Sequence, residues 1–122
     1  MPAFGAEKTL KPEEISLLAN YVIYLAKPLT IKQKEVKFDL TKAQELFQTN
    51  CSSCHGTDAK GNRLVGAPNL TDAIWLYSDD YKTVYDVIFN GRGGQMPYWE
   101  GKLSESEIKS VATYVHQLGG GE

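Results

Sequence analysis

Cys51 and Cys54 are the only cysteines in the chain, and one of its two histidines follows at once: Cys51-Ser52-Ser53-Cys54-His55. On a helical turn these three stand at i, i+3 and i+4, so two thiols and an imidazole share one face within reach of a single flat ligand. A haem is such a ligand. Its two vinyl groups take thiols as thioethers while the imidazole reaches the iron from the proximal side, which is the c-type attachment pattern. Structural zinc needs four ligands, and beyond these three only His116 remains among the soft donors. A thioredoxin-type disulfide wants a βαβ setting that is missing here. The motif therefore predicts one haem c, joined through Cys51 and Cys54 and ligated by His55.

The distal ligand decides between an electron carrier and an open, ligand-binding haem. Met96 is the leading candidate, because Gly93 and Gly94 permit close approach to a macrocycle and Pro97 fixes the turn that follows. A thioether also favours reduced iron and raises the potential. His116 competes from beside Lys109 at the margin of an apolar stripe, where a surface role is the plainer reading. Met1 ligates only if the N-terminal segment folds back or swaps between chains. The ring N–H of His55 needs an acceptor, for which a backbone carbonyl in Gly66-Ala67-Pro68-Asn69 is suited. Arg92 offers a planar fork to a haem propionate or to solvent. Trp75, Tyr77, Tyr98 and Trp99 either edge the haem or fill the core.

The elements that must hold these groups read as helices. Residues 10–26 open with Pro12, Glu13 and Glu14, repeat Ile15, Leu18, Val22 and Leu25 on one face, and stop at Pro28. Residues 27–38 carry Lys27, Lys32, Lys34 and Lys37 against Glu35 without a period, and read as a linker with a solvated charge. Thr41 with Gln44 predicts a capping box opening a helix that runs into Cys51. Gly56, Gly61, Gly66 and Pro68 mark residues 56–69 as a long loop. A short helix is predicted over 71–77, another from Ser78 to Gly91 on Val84, Val87 and Ile88, and a last one after the Ser104–Glu107 capping box. That last helix buries Ile108, Val111, Ala112, Val115 and Leu118. No strand pattern appears, so the expected class is all-α: three to five helices around one haem.

Leu10, Glu14, Ile15, Ala19, Tyr21, Val22 and Leu25 recur as Leu103, Glu107, Ile108, Ala112, Tyr114, Val115 and Leu118, each set behind a Met-Pro pair, Met1-Pro2 and Met96-Pro97. The connecting loop is two residues longer in the first copy. Residues 1–26 thus read as the C-terminal remnant of a preceding domain of the same type, 27–38 as a linker, and 39–122 as the complete domain. Two amphipathic helices sharing apolar positions by coincidence is the alternative. The remnant's stripe, widened by Leu17 and Tyr24, is expected to dock on the complete domain or to pair with a second copy of the chain through residues 10–26.

At 122 residues, 42% apolar, 23% charged and net charge −2, the chain suits one small domain and lacks the basic excess of a nucleic-acid binder. Its mean hydropathy is −0.35, and stretches such as residues 21–26 fall far short of the roughly 20 residues that span a bilayer. The opening residues lack the pattern of a secretory signal, so an export signal is expected to have been removed or to lie upstream.

Cys51 to His55, Gly66-Ala67-Pro68-Asn69-Leu70-Thr71-Asp72, Ile74-Trp75-Leu76-Tyr77, Asn90-Gly91-Arg92 and Met96-Pro97 together resemble the C-terminal haem domain of the dihaem cytochrome c subunit (subunit III) of cbb3-type cytochrome oxidases, over nearly all of residues 40–118. The resemblance implies a class I cytochrome c fold, with Pro68 supplying the carbonyl to His55 and Met96 the distal ligand. It implies a domain at the periplasmic face of the bacterial inner membrane that is not itself an enzyme. Such a domain takes electrons from a soluble or membrane cytochrome c or a quinol–cytochrome c reductase. It relays them, beside a preceding cytochrome c domain, to the catalytic core of the oxidase. Two other readings remain open from the residues: a haem module of another respiratory complex or soluble carrier, and a peroxidase-like or ligand-binding haem with an open site.

Overall fold

The computed structural model describes residues 1–32 and 36–119. Its helices are α1 (Pro12–Ala26), α2 (Leu29–Lys32), α3 (Leu40–Asn50), α4 (Ser52–His55), α5 (Tyr81–Asn90) and α6 (Glu105–Leu118), with a 3-10 turn at Arg63–Val65. No strand is formed among the described residues; Asn62 with Ala67 and Glu100 with Leu103 make isolated bridges. The expected linker contains the single turn α2, while its residues 33–35, with Lys34 and Glu35, lie outside the described residues.

The core is a seat on which α1 rests. Its Ile15, Leu18, Ala19, Tyr21 and Val22 are buried against Ala43 and Phe47 of α3 and Val84 and Ile88 of α5. These α1 positions are spaced three and four apart, as one helical face requires. The Tyr21 and Phe47 rings meet edge to face at 5.5 Å between centroids. The apolar stripe of residues 10–26 is therefore covered within the chain, the first of the two expected arrangements. α6 differs from expectation in the opposite sense. It buries none of its residues, and Val111, Tyr114, Val115 and Leu118 are exposed. The physical reason is the repeat: both helices carry the same apolar face, one seat exists for it among α3 and α5, and α1 occupies that seat.

Two further predicted boundaries shift for local reasons. The N-cap of α3 is Asp39, whose carboxylate accepts from the Lys42 amide at 3.0 Å, in place of the Thr41 box. Residues 71–77 are not helical. Asn69 accepts from the Thr71 amide at 2.8 Å and Asp72 from the Ile74 amide at 2.9 Å, and such side-chain turns compete with helix. Ser78 accepts from the Asp80 amide, and Asp80 becomes the cap of α5 through the Thr83 amide. The Ser104–Glu107 capping box forms as predicted.

Candidate haem-binding site

Cys51 sits where α3 ends and α4 begins. Its amide donates to the Phe47 carbonyl at 2.8 Å, and its own carbonyl accepts from Cys54 at 3.1 Å and His55 at 2.9 Å. The break leaves a single turn bearing Cys54 and His55, fastened to α3, whose Phe47 is locked in the core. Both cysteines are free thiols. Burial, and then the neighbouring Cys54, push the Cys51 thiol up to about 11, so at neutral pH it is protonated and a poor nucleophile by itself.

His55 is buried, and its Nδ1 lies 3.0 Å from the carbonyl oxygen of Pro68. A carbonyl only accepts, so Nδ1 carries the proton and Nε2 keeps a free lone pair for a ligand. The loop that delivers Pro68 is built for the approach. Gly61 donates to the His55 carbonyl at 2.7 Å, Asn62 and Ala67 exchange amide hydrogen bonds, and Leu70 donates to Ala59. Gly61 has φ +86°, and a Cβ there would fall 2.5 Å from the Ala67 oxygen and 2.7 Å from the Pro68 carbonyl carbon. Gln48 of α3 ties the same loop through the Thr57 carbonyl at 2.9 Å. Sequence reasoning marked Gly61 only as a loop glycine and missed Gln48 and Ala59, since neither type signals a role without its neighbour.

The site fits a flat apolar ligand. Beyond His55 the chain turns large apolar side chains outward: Leu64 is 95% exposed, Ile74 84% and Leu76 80%. No three His, Cys, Asp or Glu side chains among the described residues gather to hold a metal ion.

The other predicted residues divide. Arg92 stacks its guanidinium 4.5 Å over the Tyr77 ring, both at the surface. Trp75 packs against the core cluster. Tyr98 bonds Glu100, and Lys102 lies over Trp99, so that pair stays on the outer segment. Met96 is 88% exposed on the segment leading to α6. Met1 lies against the end of α5: its nitrogen donates to the Arg92 carbonyl at 2.7 Å, and a Cβ on Gly91, at φ +69°, would fall 2.5 Å from the Met1 carbonyl oxygen.

Comparison with known proteins gives the family. Residues 38–115 match the family model described as cytochrome c oxidase, cbb3-type, subunit III. Over the whole chain, the cbb3-type cytochrome c oxidase subunit FixP of Bradyrhizobium sp. (strain ORS 278) is 52% identical, that of Bradyrhizobium diazoefficiens 48%, and the subunit CcoP of Cereibacter sphaeroides 45%. The match covers 41%, 41% and 40% of those proteins, so the chain spans about two fifths of the length of the curated relatives it matches. With haem c as its covalent cofactor, the chain belongs to the family of subunit III of cbb3-type cytochrome c oxidases.

Proposed function

We propose that the chain is an electron-transfer module of a cbb3-type oxidase, holding one haem c through Cys51 and Cys54 with His55 as proximal ligand. The observation that carries this reading is the 3.0 Å pairing of His55 Nδ1 with the Pro68 carbonyl beside two free thiols, which leaves Nε2 as the ligating nitrogen. The bound group supplies one-electron chemistry at its iron. The chain supplies orientation: Pro68 holds the imidazole in one tautomer, and burial keeps water from it. Arg92 offers its fork to a propionate. The module transforms no substrate itself and works at the periplasmic face of the inner membrane. Its electrons come from a cytochrome c or a quinol–cytochrome c reductase and pass, with a preceding cytochrome c domain as neighbour, to the oxidase core.

For the distal ligand the reading is Met96, whose side chain stands exposed on a loop between Gly93-Gly94 and Pro97, where glycine permits close approach to a macrocycle and a thioether favours reduced iron. In the oxidised holoprotein, the weak iron–thioether band at the red edge of the spectrum is expected to vanish in Met96→Ala and to survive in Met1→Ala. Loss in Met1→Ala alone overturns the assignment of Met96. No such band in the unaltered protein, together with binding of carbon monoxide by the reduced form without displacement of a ligand, points to an open-site haem.

A further inference from the structure

The segment between α1 and α3 gathers charge where the fold turns it back on α1. Lys27 caps the C-terminal end of α1, Lys32 ends the single turn α2, and Lys37 lies just before Asp39, the cap of α3. The three lysines line one cavity of about 190 Å³ together with Asn20, Tyr24 and Phe38. No carboxylate lines it among the described residues, in a chain whose net charge is −2. Like charges crowded on one small concavity repel, and a merely solvated run of lysines would spread apart.

Tyr24 limits what can enter. Its ring stacks on Tyr21, meets Phe38 edge to face and carries the Lys32 ammonium 5.5 Å from its centroid. The aromatic surface is thus already engaged, and an incoming group meets cations and the Asn20 amide, which is held by its bond to the Ser16 carbonyl at 2.9 Å. That setting suits a compact anion such as a phosphate group and does not suit a nucleobase. The rim adds a second observation. Leu29, Ile31 and Val36 are interleaved with the same lysines, and all three are exposed and outside the core that α1 shares with α3 and α5. A phosphate ion in solution needs cations alone. Cations among bare aliphatic side chains match a surface where phosphate groups lie over acyl chains. No described helix is long and apolar enough to cross a membrane, so the contact is with the interface.

We propose that residues 27–32 and 36–38 form a membrane-surface site: Lys27, Lys32 and Lys37 take the phosphate of an anionic phospholipid at the cavity, and Leu29, Ile31 and Val36 enter the interface beside it. The site lies outside the haem machinery and holds the start of α3, the helix that runs into the Cys-His turn, next to the bilayer.

Sedimentation of the holoprotein with vesicles, followed by its haem absorbance, tests this. Binding is expected to vesicles of phosphatidylcholine mixed with phosphatidylglycerol, to weaken as salt rises, and to be absent with phosphatidylcholine alone. Lys32→Gln with Lys37→Gln is expected to lower the affinity ~30-fold. Leu29→Ser with Ile31→Ser is expected to lower it at unchanged charge. Lys102→Gln with Lys109→Gln removes equal charge elsewhere and is expected to bind as the parent does. No binding to the anionic vesicles at low salt overturns the proposal, as does an equal loss in the Lys102 and Lys109 variant, which would make net charge the cause. Parental binding by the Leu29 and Ile31 variant, with inorganic phosphate displacing the vesicles, marks a site for the ion alone and overturns the membrane assignment. None of these outcomes depends on which residue ligates the iron.

Discussion

His55 shows how a buried side chain acquires one chemical role. An imidazole has two nitrogens, and the Pro68 carbonyl engages Nδ1, so Nε2 alone is left to ligate. Gly61 makes that contact possible, because its backbone lies against Ala67 and Pro68 at a φ where a Cβ is strained. Gly61→Ala is expected to destabilise the holoprotein by more than ~1 kcal/mol. It should also loosen the His55–Pro68 bond, read as a lower denaturation midpoint and a shifted midpoint potential; a Gly61→Ala protein matching the parent in both contradicts this account. The Cys-x-x-Cys-His pattern was legible in the letters. The glycine's purpose was not, since it depends on a backbone thirteen residues beyond His55 coming back to meet it.

At the scale of the element, α1 and α6 form a natural comparison, with equal patterns and unequal burial. Leu18 is fully buried, and Leu18→Ala is expected to cost about 2–5 kcal/mol through lost contacts and a cavity. Its counterpart Val111 is exposed, so Val111→Ala is expected to change stability by no more than ~0.5 kcal/mol. Chemical denaturation of the two proteins checks the pair, and equal losses would place both helices in the core. The cap of α5 adds a pH dependence. Hydrogen bonds from Ser78 first, and then Thr83, hold the Asp80 carboxyl down at about 2 against an ordinary 3.8. A carboxylate depressed in the folded state stabilises it fully above the unfolded value and loses that contribution as pH falls through the folded one. Stability from Asp80 is thus expected to drain away between pH 3.8 and about 2. Asp80→Asn keeps a cap but should flatten this part of the acid titration followed by circular dichroism.

At the scale of the whole molecule, a small core of three helices supports a loop layer whose apolar side chains stand outward. A domain of this size gains much of its stability from a staple, and a haem supplies a large apolar plate. The protein carrying Cys51→Ala and Cys54→Ala, recovered without haem, is expected to lose most of its helical circular dichroism; native-like ellipticity would show that the helices hold without the plate. Residue types and their spacing by themselves determined the all-α class, the Cys51–Cys54–His55 face, the long loop that returns to it and the doubling of the Met-Pro helix, because each of these is a local or periodic property of the chain. Which of two equivalent helices fills the seat on α3 and α5 was decided only in three dimensions. An apolar stripe states that a helix must be covered and leaves open by what; Ala43, Phe47, Val84 and Ile88 cover that of α1 only where the fold brings α3 and α5 together.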